Sequence, residues 1–94
     1  MTTYMIGFDL NREGKNYSER HKALTERLEK LFSTYWHHLD STWIVVSDLS
    51  AKEIRDDLKK ALDDNDELLV AGLNGEGAWT GFNEKGSAWL KKHL

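Results

Sequence analysis

Three groups of side chains in this sequence have types and spacing that could do chemistry. Asp9 closes an alternating segment, Thr3-Tyr4-Met5-Ile6-Gly7-Phe8-Asp9-Leu10. A carboxylate there can hold a divalent ion, or share a proton with its own copy across a two-fold axis. Asp-Leu-Asn is also good turn chemistry, and an Asx turn ending a strand accounts for Asp9 without any ligand. The second group is His37, His38 and Asp40. Adjacent residues of a strand point to opposite faces, so the two histidines reach one metal only across a bulge. No His-Glu-x-x-His or paired-cysteine pattern accompanies them. They read most simply as amphipathic sheet positions beside Tyr35 and Trp36, with Asp40-Ser41 as a hairpin turn. The third group is Arg12, Lys15 and Arg20, which with the start of the following helix could hold a phosphate. Glu13 and Glu19 interrupt that patch, and a solvated loop is the plain alternative.

Other local patterns are weaker. Asn74-Gly75-Glu76-Gly77 has neither the lysine nor the GxxxxGK spacing of a phosphate cradle. Asp56, Asp57, Asp63, Asp64, Asp66 and Glu67 make one region acidic, which repels nucleic acid there.

The elements that must position these groups follow from hydrophobic periodicity. Residues 3–10 alternate with period two and predict a strand whose core face is Tyr4, Ile6, Phe8 and Leu10. After a loop, Leu24, Leu28, Leu31 and Phe32 form one stripe of a helix from Ser18 to Phe32, with Ser18 as its expected N-cap. Thr34–Leu39 and Thr42–Ser47 are rich in aromatic and β-branched residues and predict a hairpin. Ser50-Ala51-Lys52-Glu53 is a capping box flanked by Leu49 and Ile54 at staple positions, starting a helix that runs to Leu62. Glu67–Leu73 is a fourth strand. The order β-α-β-β-α-β predicts an α+β, ferredoxin-like domain over residues 1–73, with a four-stranded antiparallel sheet and two helices on one face. Residues 74–94 are an extension expected to pack on the core or on a partner subunit. It holds a short strand at Ala78–Phe82, a short helix capped by Asn83, or both.

With 94 residues, the chain has room for one small domain. It has no cysteine, which excludes disulfides and thiolate metal sites, and no proline. Its 13 Lys and Arg against 16 Asp and Glu give a net charge of −3, which argues against gripping a long nucleic-acid backbone. No signal peptide and no apolar run of spanning length is apparent, so the expected compartment is cytoplasmic.

The sheet has a second face to account for. Trp43 and Val45 alternate with Ile44 and Val46, and Leu69, Ala71 and Leu73 with Leu68 and Val70, so both outer-going and inner-going positions are apolar. The C-terminal segment with Trp79, Phe82 and Trp89, a second subunit, or both must cover that face. A homodimer is the favoured expectation, with Met5, Gly7, Trp79 and Phe82 at its interface.

Tyr4-Met5-Ile6-Gly7-Phe8-Asp9-Leu10-Asn11, Trp36-His37-His38-Leu39-Asp40-Ser41-Thr42-Trp43, Ser50–Leu58 and Asn65–Val70 together resemble the SinR-like family of small bacterial proteins. The resemblance covers residues 4–73. More distantly, the pattern is similar to the small ferredoxin-like subunit of CRISPR spacer acquisition and to the VapD ribonucleases. That resemblance implies a dimer in which Asp9, paired across the two-fold, is the Mg²⁺ ligand and catalytic position. The acidic balance and the lack of arginine-rich tracks depart from a DNA-binding spacer subunit.

Three functions are therefore carried forward. The first is a non-catalytic dimeric module that binds a protein, RNA or DNA. The second is a Mg²⁺-dependent endoribonuclease with Asp9 as ligand and Arg12 and Lys15 on the phosphate. The third is a small-molecule sensor at a dimer interface.

Overall fold

Strand β1 (Thr2–Asp9) buries every second residue, Tyr4, Ile6 and Phe8, as its alternation predicts. In the computed structural model, which describes residues 1–12 and 16–94, it is a central strand of the sheet. Helix α1 (Tyr17–Leu31), strands β2 (Tyr35–Leu39) and β3 (Thr42–Ser47), helix α2 (Ala51–Lys59), strand β4 (Glu67–Gly72) and helix α3 (Glu84–His93) follow. The sheet order is β2-β3-β1-β4 with every pairing antiparallel, the ferredoxin-like arrangement.

Tyr4, Ile6, Phe8 and Leu10 meet Leu24, Leu28 and Phe32 of the α1 region and Ile54 and Leu58 of α2, with Trp43 and Val45 from β3. That layer is the core. Helix α2 starts as its sequence dictates: the Glu53 N–H donates to Ser50 Oγ (3.1 Å), and the Ser50 N–H donates to Glu53 Oε1 (3.0 Å). Its regular part stops at Lys59, three residues before the expected Leu62. There the chain tightens, and the N–H groups of Ala61 and Leu62 donate three residues back to Leu58 and Lys59. Helix α1 starts one residue early. Its N-cap position is Asn16, in the left-handed region (φ 62°) with no side-chain cap, rather than Ser18, which lies inside the first turn.

The second face is covered in part by the chain itself. Helix α3 is capped by Asn83, whose Oδ1 accepts from the Gly86 N–H at 2.8 Å. It docks through Trp89 Nε1–H donating to Thr34 Oγ1 (2.9 Å) and Thr3 Oγ1–H donating to the His93 carbonyl (2.8 Å). Leu90 is buried, and Phe82 meets Trp36 edge-on with centroids 4.8 Å apart. The extension therefore supplies a helix. Ala78–Phe82 does not form the strand offered as an alternative; it crosses the face with Trp79 and Phe82 turned inward, and Gly81 at φ +92° breaks any extended run. Left open is a strip at the β1–β4 side containing Gly7 and Leu69, where Leu69 is 57% exposed.

Candidate functional site

A cleft of about 240 Å³ opens at the carboxyl end of β1. Phe8, Asp9 and Leu10 form its floor, Arg12 and the first turns of α1 one wall, and the β2–β3 turn the other. The sheet register brings these parts together. Gly7 pairs with Thr42, and one step on, the Phe8 N–H donates to the Ser41 carbonyl at 3.1 Å, which sets the Asp40-Ser41 turn beside the end of β1.

Three of the polar side chains rest against aromatic rings. His37 lies on Trp43 with ring centroids 4.2 Å apart and planes 16° from parallel, and its Nε2 is 3.2 Å from the Asp40 carbonyl oxygen. His21 stands edge-on to Phe8 at 6.4 Å and beside Tyr17 at 6.1 Å. The Arg12 guanidinium sits over the Tyr17 ring, 5.5 Å from its centroid. The cleft thus gathers one guanidinium, two imidazoles and two hydroxyls, Tyr17 and Ser41, together with the Asp9 and Asp40 carboxylates. Such a set can donate several hydrogen bonds to one oxyanion.

The loop and helix that carry Arg12, Tyr17 and His21 are held from beneath. The enclosed Asp66 carboxylate accepts from Arg20 Nη1, from the Asn11 N–H (2.8 Å) and from the Asp63 N–H (2.9 Å), while Arg20 Nη2 donates to the Asn11 carbonyl at 2.8 Å. Burial pushes the Asp66 carboxyl up. The Asp63 N–H, the Arg20 guanidinium and the Asn11 N–H outweigh it and hold the group below its ordinary value.

No protein-family model matches this chain, and neither the curated proteins nor the solved structures include one significantly similar to it.

The residues singled out in the sequence separate in space. Asp9 and Arg12 line the cleft. Arg20 faces Asp66 and Asp63 beneath it. Lys15 lies outside the described residues. Met5, Trp79 and Phe82 line the groove under the chain's own C-terminal segment, and Gly7 lies in the open strip. The strand β2 does carry a bulge, Trp36 pairing with Ile44 and Leu39 with Thr42, so two residues oppose Trp43. The two histidines still diverge: His37 stacks on Trp43, while His38 packs near Trp36 and Phe82 on the other face.

Among the described residues no three His, Asp or Glu side chains gather to hold a metal ion. Asp9 is exposed and stands opposite Glu67 across the β1–β4 ladder. Tyr17 and His21, which the sequence reading passed over, complete the cleft. The signal for them is their i, i+4 spacing at the start of a helix, which sets both on one face.

Proposed function

We propose that this is a small non-catalytic interaction module whose cleft at the end of β1 binds a phosphate group of a nucleic acid. One observation carries the reading: Arg12, Tyr17, His21, His37 and Ser41 come from three separate elements to line one cleft. The N-terminal turn of α1 adds the favourable end of a helix dipole. With a net charge of −3 and two carboxylates in its lining, the site fits one or two phosphates better than a long backbone track.

A fluorescein-labelled oligouridylate of eight nucleotides, followed by anisotropy at low salt, tests this. Arg12→Ala is expected to weaken binding about tenfold, as the loss of a charge-assisted hydrogen bond does. An affinity untouched by Arg12→Ala and His21→Ala removes the cleft from the reading. The module turns nothing over on this reading, so cleavage of the oligonucleotide that stops with Asp9→Ala would favour the nuclease alternative.

The reading includes a homodimer formed through the open strip, supported by the exposure of Leu69 beside Gly7. Sedimentation velocity tests it: Leu69→Lys is expected to give a folded monomer. A wild-type chain that sediments as a monomer at tens of micromolar rejects the dimer and leaves the cleft untouched.

A further inference from the structure

His21 and His37 belong to opposite walls of the cleft, and their hydrogen bonding differs. His37 Nε2 lies 3.2 Å from the Asp40 carbonyl oxygen. A carbonyl oxygen only accepts, so Nε2 carries the proton of that bond, and in the neutral ring Nδ1 is then a bare acceptor. His21 touches the Phe8 and Tyr17 rings, and among the described residues nothing hydrogen-bonds its imidazole. Its proton can sit on either nitrogen. A neutral His21 can therefore offer an N–H to an anion, while a neutral His37 has only a lone pair left to offer.

The wall that carries His37 has no other source of positive charge. From Tyr35 to Ser47 the chain holds neither lysine nor arginine, and His38 packs near Trp36 and Phe82 on the other face of the sheet. The charged and titratable groups around His37 are Asp40 from its own turn, Asp9 from β1, Arg12 beyond β1, Tyr17 and His21 from α1, and Tyr35, which shares the Trp43 ring with it. With both imidazoles neutral, the two carboxylates outnumber the one guanidinium, and that balance opposes a phosphate. A proton on His21 adds charge alone. A proton on His37 adds charge and also turns Nδ1 from an acceptor into a donor.

We infer that filling the cleft with a phosphate is coupled to the uptake of one proton by His37, so that the site fills in mild acid and empties in mild alkali. This rests on the phosphate cleft proposed above and adds its regulation. The proton comes from solvent and goes to Nδ1, which donates it in a hydrogen bond to a phosphate oxygen; no covalent bond of the ligand changes. Imidazole is the side chain whose charge changes between pH 5 and 8, which puts the switch in the physiological range.

Titration calorimetry on the full chain tests this with octauridylate bearing no terminal phosphate, whose diesters do not titrate in the range used. At pH 7, measurements in PIPES and in Tris, buffers of different protonation enthalpy, count the protons taken up. The wild-type chain is expected to take up about one proton at most, and to bind about tenfold more weakly at pH 8 than at pH 6. His21→Gln keeps an N–H donor, so it is expected to weaken binding and retain the uptake. His37→Phe is expected to lose the uptake and to bind at pH 6 as weakly as the wild type does at pH 8. Ring ¹⁵N spectra of the wild-type chain at pH 7.5 read the same step without a variant. His37 Nδ1 is expected to be bare before octauridylate is added and to move toward the protonated range after it. Binding without proton uptake, uptake that survives His37→Phe, or a neutral His37 with its proton on Nδ1 would each overturn the coupling and leave the phosphate cleft standing. No binding at either pH rejects both.

Discussion

The His37 imidazole lies flat on the Trp43 indole, 4.2 Å between centroids and 16° from parallel, so a cleft residue is also the lid of the core. Trp43 is 1% exposed because Tyr35 and His37, two residues apart on β2, close over it.

The two roles of His37 separate by substitution. His37→Ala is expected to cost about 0.5–1.5 kcal/mol, the usual worth of an aromatic pair, and to weaken oligouridylate binding. His37→Phe restores the stacking without a ring nitrogen. It is expected to recover the stability in urea titration while binding stays weak. Recovery of both by phenylalanine would mean that the ring only packs.

The Arg20–Asp66 pair makes stability depend on acid pH. The Asp66 carboxyl is held below its ordinary value in the folded chain, against about 3.9 when unfolded. The stability it contributes is therefore fully present above that unfolded value and is lost as pH falls through the folded one. Asp66→Asn is expected to cost about 3 kcal/mol at pH 7. That is the low end for a broken buried pair, because Asp63 Oδ2 remains 3.9 Å from Arg20 Nε. Urea titrations at pH 7 and below pH 4 check it: the gap between the two proteins must narrow in acid.

Ser50 is a local test of the second helix. Its hydroxyl and the Glu53 carboxylate each satisfy one backbone donor, and the box lies at the surface. Ser50→Ala is expected to cost about 1 kcal/mol, and Ser50→Asp, which caps equally well, close to nothing. Thermal or urea unfolding reads both, and no loss from Ser50→Ala would show that the box adds little.

The fold was legible because each element carries its own period. The alternation from Tyr4 to Leu10, the Ser50–Glu53 box and the Asn83 cap act over four to eight residues, and the structure keeps all three. The capping position of α1 was not legible, because Asn16 holds a left-handed conformation that no side-chain bond announces. The cleft was legible only in pieces. Asp9, Arg12, His37 and Asp40 stood out one by one, but their meeting depends on the β1–β3 register and on Phe8 bonding Ser41. In the sequence alone, Arg20 reads as a phosphate ligand beside Arg12. Its partner, Asp66, is 46 residues away, a separation at which sequence spacing carries no signal.

Gly86 joins the C-terminal helix to the sheet, and its lack of a side chain has a specific cause. A Cβ there would stand 3.1 Å from the His38 ring and 3.3 Å from Asn83 Oδ1, the atom that caps the helix. Alanine is otherwise the better helix residue by about 1 kcal/mol. Because His38 is packed near Trp36 and Phe82, Gly86→Ala is expected to destabilise the wild-type chain despite its propensity. In a His38→Ala background the ring is gone and the same substitution is expected to stabilise by up to about 1 kcal/mol. A double-mutant cycle in urea measures the change of sign. If Gly86→Ala has the same effect in both backgrounds, the glycine answers to the cap at Asn83 and not to His38, and the packing of α3 against β2 is looser than these distances state.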